Sequence, residues 1–388
     1  MNPIISILVP TRNRPVQLAS LISIIRKCAD VRIEFLISDN SDSPSHHLSS
    51  FENVTFFRPE QVLNMTDHWN FLFHKAKGKY ITFVGDDDAF LPTALLQLCD
   101  SLEQIDPDLV WTQTAGYGWP SGDSFGNFFQ LIRRKSERID LSKARLRLLK
   151  LDSLDLPIPY NYALVKREIV IEFLQKNPNE NFFSSRVPDV NSGVKILFLA
   201  KTQFEFKRLT FISGASPLSN GLLTRTKQDH PVTLEFNNPE FNPITIRHNS
   251  RIKEISPFGF VTFFEAIEES LLQLGENLQC SDRVVAFRSV FLSSFPKQQL
   301  EISLKTWTQY SKTLKMAYLL VGIRNLWITS YLEGNFKRFL LLLKVAFQKE
   351  SVVVINGPGI ENTSTLVSYL ESNDAILSRK LITKLYVT

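Results

Sequence analysis

Over its first hundred residues the chain alternates short apolar runs with stretches of helical spacing. Residues 4–9 are almost wholly apolar and stop at Pro10. Residues 16–25 carry apolar side chains at three- and four-residue intervals, which marks a helix with one buried face. Residues 33–38 and 54–57 read as strands, the first halted by the turn formers Asp39, Asn40, Ser41 and Asp42. A helix is predicted over 65–76, with Asn64 or Thr66 as its N-cap. Residues 80–84 form a fourth strand candidate that runs into Gly85, Asp86, Asp87 and Asp88. Pro92 suits the first position of a helix reaching residue 102, and residues 109–113 make a fifth strand.

Strands that alternate with helices build an α/β fold, a mostly parallel sheet covered by helices on both faces. Ligands in such sheets bind beyond the carboxyl ends of the strands. The polar clusters at 11–14, 39–42 and 86–88 each follow a strand directly, so they are expected to converge on one rim.

Later segments change the pattern. Residues 115–135 read as a loop or hairpin insertion holding Gly116, Gly118, Gly122 and Gly126. Strands are predicted at 162–165 and 204–209 and a helix at 190–199. From about residue 257 helical spacing dominates, over 258–278, 283–295, 300–321 and 336–347. The stretch 351–370 runs from a strand through Asn356, Gly357, Pro358 and Gly359 into a helix, like the opening of another α/β unit. Its glycines could cradle a phosphate or simply make a turn.

Composition narrows the class. The 388 residues are 44% hydrophobic and 21% charged, which supports a large core and excludes a disordered chain. A net charge of +5 is too small to imply a nucleic-acid partner. Cys28, Cys99 and Cys280 are far apart and form no Cys/His cluster, which argues against zinc and fits a reducing cytoplasm. No apolar run approaches the ~20 residues that cross a bilayer. Between 300 and 349, Lys305, Lys312, Lys315, Arg324, Lys337, Arg338, Lys344 and Lys349 face only Glu301 and Glu333. Phe336, Phe339, Leu340, Leu343 and Phe347 share one face of a helix there. Such a helix can lie on an anionic membrane surface or bury its stripe in a core.

The sharpest chemistry is Asp86-Asp87-Asp88. Adjacent carboxylates repel unless a cation or ordered hydrogen bonds offset them. Their hard oxygens suit Mg²⁺ or Mn²⁺, which is held through one or two carboxylates plus substrate phosphates. The alternative is an acidic turn before the helix at Pro92. Asp39 could take a base N–H or ribose hydroxyls, or close an Asx-turn. Thr11, Arg12, Asn13 and Arg14 offer donors to a base or phosphate, or make a helix-start turn.

Residues 4–100 resemble family 2 glycosyltransferases with the GT-A fold. The likeness rests on Ser6-Ile7-Leu8-Val9-Pro10-Thr11-Arg12-Asn13-Arg14, on Leu36-Ile37-Ser38-Asp39-Asn40-Ser41, and on Asn70, Ala76, Gly78, Tyr80 and Ile81. It ends with Phe83-Val84-Gly85-Asp86-Asp87-Asp88 and Pro92. The resemblance implies a GT-A-type sheet flanked by helices, followed here by a mostly helical C-terminal region. It implies a nucleotide-sugar site drawn from Pro10, Thr11, Asn13, Arg14, Asp39, His68, Asp86 and Asp87, with Asp87 and Asp88 toward the metal. Two positions depart from the family. Gly85 stands where many members have Asp, and Trp69 where many have a basic residue; His68 is the neighbouring candidate for the diphosphate.

An inverting transfer also needs a base on the face opposite the leaving group. The resemblance places an Asp or Glu about 100 residues after the acidic motif, at a helix start. Asp189, after Pro188, fits that place or serves as an ordinary N-cap; Glu180 is the fallback. Residues 213–221 are small and polar and correspond to segments that close over the diphosphate in relatives, or are a plain surface loop.

The domains expected are 1–220 for nucleotide-sugar and acceptor binding, 221–256 as linker, 257–349 helical, and 350–388 as the start of a further unit. The expected activity is transfer from a nucleotide diphosphate sugar, UDP-linked by family frequency, to a glycan or lipid-linked acceptor. The resemblance points to surface polysaccharide such as O-antigen or capsule, with the protein in the cytoplasm or at the inner face of the membrane. The rivals are a non-catalytic nucleotide-sugar-binding module of a synthase complex and a nucleotidyltransferase. The latter would carry a glycine-rich loop after the first strand, and residues 10–15 contain no glycine.

Overall fold

The computed structural model describes residues 2–43, 52–119, 129–132, 140–151, 155–219, 229–238, 260–279 and 362–372, with Leu223. Its first half is a set of parallel strands. β1 (Ile5–Thr11) lies between β2 (Ile33–Asp39) and β4 (Tyr80–Phe83), and β3 (Val54–Phe57) flanks β2; all three pairings are parallel. These strands are apolar on both faces because helices cover both, as buried parallel sheets require. α1 (Pro15–Ile25) opens with Pro15 in its first turn and buries Leu18, Leu21, Ile22, Ile24 and Ile25. α2 (Met65–Phe73) is capped by the Asn64 side chain, which accepts from the Asp67 amide, so Asn64 and not Thr66 is the cap. α3 (Pro92–Gln104) again starts on proline.

The other half of the sheet is mixed. β8 (Ala163–Lys166) pairs antiparallel with β4 and with β6 (Leu109–Gly118). β9 (Gln203–Ala215) runs parallel to β6, and the two-residue β5 (Ala89–Phe90) pairs antiparallel with β9. β7 (Phe129–Ile132) folds back on β6, so part of the expected insertion is a hairpin. The sheet order is β3-β2-β1-β4-β8-β6-β9-β5. The parallel run β3-β2-β1-β4 is interrupted by β8, which enters between β4 and β6 from the opposite direction, and parallel pairing returns between β6 and β9, so the sheet is mixed where a mostly parallel one was expected.

Four further helices complete this part. α4 (Leu141–Leu149) is capped by Asp140, and α5 (Arg167–Lys176) follows β8 without a loop. α6 (Pro188–Leu199) opens on Pro188, and α7 (Pro231–Asn237) is capped by the His230 side chain.

Two later helices pack on this domain and share its core. α8 (Phe260–Gln273) lies along α6 and shares a cluster with it that includes Val190, Val194, Phe264 and Ile267. A polar network crosses the same interface. Asn191 Nδ2 donates to Ser270 Oγ at 2.7 Å, and Lys195 Nζ donates to the carbonyls of Phe182 and Asn181 at 2.6 and 3.1 Å. Burial pulls the Lys195 ammonium down, against the pull of Glu269 and Glu180. α9 (Thr363–Ser372) is the helix expected at 363–370. It lies against α1 and contributes Leu366, Val367 and Leu370 to the main core, where the start of a separate unit was expected. The helices predicted at 283–295, 300–321 and 336–347, and the turn at 356–359, fall outside the described residues.

Candidate active site

The three polar clusters do converge. Thr11 and Asp39 are register partners at the ends of β1 and β2, and Asp86 follows β4 by three residues. The Thr11 hydroxyl donates to Asp86 Oδ2 at 2.7 Å. Arg14 donates to Asp86 Oδ1 at 3.0 Å and lies 3.9 Å from Asp87 Oδ1. Burial pushes the Asp86 carboxyl up to about 6, and the Arg14 guanidinium holds it from rising further.

Asp87 reaches the opposite wall. Its Oδ2 accepts from the Ser216 hydroxyl at 2.7 Å and from the Ser219 hydroxyl at 2.5 Å. Its carbonyl accepts from the Trp119 indole N–H at 2.8 Å. Gly214 sits so tightly beneath that carbonyl that a Cβ would overlap it. The residues of 213–219 thus lie directly on the acidic loop, where a closing segment was expected, and residues 220 and 221 fall outside the described set.

Asp88 turns the other way. Its Oδ2 accepts from the Gly85 amide at 2.7 Å and from Asn161 Nδ2 at 2.6 Å, and its Oδ1 accepts from the Gly214 amide at 2.7 Å. Tyr160 adds a fourth hydrogen bond. Burial and the neighbouring Asp87 push the Asp88 carboxyl up. Asp88 therefore ties the acidic loop to β9 and to the 160–161 segment. This same packing accounts for Gly85: a Cβ there would strike the Tyr160 hydroxyl and lie 2.7 Å from Asp88 Oδ2. The family's usual Asp has no room beside Tyr160.

The remaining candidates scatter in role. Asp39 is buried, and its Oδ1 accepts from the Ser41 amide at 3.0 Å, closing the Asx-turn. Asn13, with φ of 57°, exchanges hydrogen bonds with Asp42 and is turned from the acidic loop toward that turn. Pro10 is the register partner of Ser38, one residue before the ends of β1 and β2. His68 is buried, its Nε2 is 2.8 Å from Ser38 Oγ, and burial lowers its pKa to about 4. A neutral imidazole brings no positive charge to a diphosphate. Trp69 is core: it stacks on Phe83 with centroids 3.8 Å apart and on Tyr160 at 5.9 Å.

Asp189 lies half-buried in the first turn of α6, and burial raises its carboxyl. α6 packs Gly193 against Leu156 and Ile158, and that strand of chain continues into Tyr160 and Asn161 at Asp88. Glu180, the fallback base, accepts from Gln273 Nε2 at 2.7 Å and faces Lys195, so it belongs to the α6–α8 interface. Sequence reasoning missed Tyr160, Asn161 and Trp119. The one available signal was Asn161 itself, which adopts φ of 59°, a conformation that Asn tolerates better than most residues.

Among the described residues, no three His, Cys, Asp or Glu side chains come together as a metal cage. Asp88 is more committed to protein donors, which bond both of its oxygens. Asp87 is the better placed ligand, since its Oδ1 has no described donor closer than Arg14 at 3.9 Å. One carboxylate is enough for a cation shared with substrate phosphates.

Residues 6–172 match the family model described as Glycosyl transferase family 2. No curated protein matches the sequence. Among solved structures, S. aureus TarS is 12% identical, with 81% of this chain and 54% of that chain covered and a TM-score of 0.44. The chain thus spans about half the length of that relative. S. aureus TarS 1-349 in complex with UDP-GlcNAc is 13% identical, covering 82% and 90% of the two chains with a TM-score of 0.44. The complex of TarS 1-349 with UDP is 16% identical, covering 82% and 89%, at 0.42. The parallel strands, the Thr11–Asp39 rim and the acidic loop all lie within the residues 6–172 that match the family 2 glycosyltransferase model, in the order that the motifs require.

Proposed function

We propose that the chain is an inverting glycosyltransferase that moves a sugar from a nucleotide diphosphate sugar, UDP-linked in the first instance, to a glycan or lipid-linked acceptor. The observation that carries the reading is the buried Thr11–Asp86–Arg14–Asp87 cluster beyond the ends of β1 and β4. In this reading Pro10, Thr11 and Asp39 border the nucleoside, and Asp86 and Asp87 border the ribose and sugar side. Asp87 would hold Mg²⁺ or Mn²⁺, which neutralises a leaving diphosphate when bound. Asp189 takes the proton of the attacking hydroxyl, and its raised pKa keeps it basic enough for that work. Surface polysaccharide assembly is the setting that the family resemblance favours.

Calorimetry of UDP and GDP, with and without Mn²⁺, tests the donor site in the wild type and in Asp87→Ala. The expected result is Mn²⁺-dependent UDP binding that Asp87→Ala abolishes. A folded wild type that binds neither nucleotide overturns the donor site. Asp189→Asn then separates an enzyme from a binding module. Transfer from UDP-sugars is expected to fall by about 10²–10⁴-fold, with UDP binding unchanged. Loss of UDP binding in that variant would remove Asp189 from the role of base.

A further inference from the structure

The rim assigned to the donor is covered. Asp86 and Asp87 are only 2% and 3% exposed. Part of the cover is the turn at 216–219, whose two serine hydroxyls rest on Asp87. Ser219 N donates to the Ser216 carbonyl at 3.0 Å, so the turn is closed on itself. Its third tie is Arg14. That guanidinium donates at 2.5 Å to the Leu218 carbonyl in the turn and at 3.0 Å to Asp86 below it. One side chain from the start of α1 thus joins the cover to the rim.

Beside the metal proposed above, the family resemblance puts a basic residue on α2 at the diphosphate, and here α2 does not supply one. Trp69 is packed in the core and His68 is neutral against Ser38. Arg12 is engaged outward, with Asp42 at 3.1 Å and Glu235 of α7 at 2.8 Å. Arg14 already spans Asp86 and the space over Asp87, and a guanidinium binds phosphate oxygens in the same forked manner as carboxylates.

We propose that Arg14 is a two-way latch. In the ligand-free chain its guanidinium holds the 216–219 turn down over Asp86 and Asp87; the diphosphate of an arriving donor takes that guanidinium and releases the turn. This rests on the donor site proposed above and adds how that site opens. Arg14 acts first as a lock on the cover and then as the phosphate contact that α2 lacks.

Two measurements on the full chain test it. Without ligand, amide exchange at Ser216 and Ser219 is expected to speed up several-fold in both Arg14→Gln and Arg14→Lys. Lysine keeps the charge but cannot fork between Asp86 and the Leu218 carbonyl. Unchanged exchange in both variants overturns the latch, whether or not nucleotide binds. With UDP, stopped-flow fluorescence uses Trp119 as an internal reporter beside Asp87. Arg14→Gln is expected to associate faster, because the lock is gone, and to dissociate about tenfold faster or more, because a charge-assisted contact is gone. Arg14→Lys should associate as fast as Arg14→Gln but dissociate more slowly. Unchanged association in both variants overturns the lock, and unchanged dissociation in Arg14→Gln overturns the phosphate contact. If the folded wild type binds no UDP, the donor site itself fails and the two-way role with it.

Discussion

His68 and Trp69 occupy the place where the family resemblance puts positive charge, and neither carries any. The physical reason is burial: α2 turns both rings inward, His68 onto Ser38 and Trp69 onto Phe83. The imidazole has a measurable consequence. Its pKa falls from the ordinary 6.5 to about 4, chiefly by burial and against the pull of Asp39, with Arg12 adding to the fall. Between those two values the unfolded chain binds a proton that the folded chain does not. The contribution is fully present at pH 7 and is lost as pH falls toward 4. At pH 5 the loss is on the order of 1–2 kcal/mol. Chemical denaturation at pH 7 and pH 5 should show a larger drop in stability for the wild type than for His68→Gln. Equal drops would mean that His68 is protonated in the fold. Whether a polar residue near a rim faces the ligand or the core is decided by which way its helix turns. Residue type alone therefore gave His68 a ligand role that its packing denies. Asp86 and Thr11 were legible because strand ends fix their direction.

Elements were legible where periodicity was unambiguous. The strands at 33–39, 54–57 and 80–83, and the helices opened by Pro15, Pro92 and Pro188, match the pattern closely. α5 was not read from the sequence at all. Its Arg-Glu-Ile-Val-Ile-Glu-Phe core is rich in β-branched residues and has strand-like local preference, yet packing of Ile169, Val170 and Phe173 makes it a helix. The Tyr160–Asn161 segment was equally hidden, because the irregular stretch running through Pro157 and Pro159 has no period to read. α9 was read correctly as a helix but not as part of the first domain. No local signal tells which surface a helix will cover. Its packing makes a prediction: Leu366 is wholly buried against α1, so Leu366→Ala should lower unfolding stability by about 2–4 kcal/mol. Ser20 and Thr363, 2.9 Å apart in the same seam, add a polar register between the two helices. A denaturation midpoint unmoved by Leu366→Ala would detach α9 from the core.

At the scale of the molecule, the sheet divides the labour. Its parallel half brings strand ends to the rim of Thr11, Asp39 and Asp86, and its mixed half carries β9 and the 160–161 segment up to the acidic loop from the other side. No helix among the described residues is long and apolar enough to cross a membrane. The expectation of contact with an anionic membrane surface rests on the basic excess between 300 and 349 in the sequence. Sedimentation with vesicles containing anionic lipid should carry the protein down at low salt and lose it as salt rises. Equal sedimentation with neutral vesicles would assign the binding to apolar contact instead.

The contact of Gly214 with the Asp87 carbonyl has a consequence for how this protein can change. No side chain of any size fits there, and Asp88 bonds the same glycine's amide, so the acidic loop and the end of β9 move as one jaw. Drift in donor preference cannot enter through that jaw without breaking it. It must enter through the facing positions, around Asn13, Asp39 and the serines of the covering turn, where a new side chain displaces a hydrogen bond and leaves the backbone in place. On the donor site proposed above, a lineage of such chains would therefore record its changes of sugar on one side of the cleft and stay silent on the other.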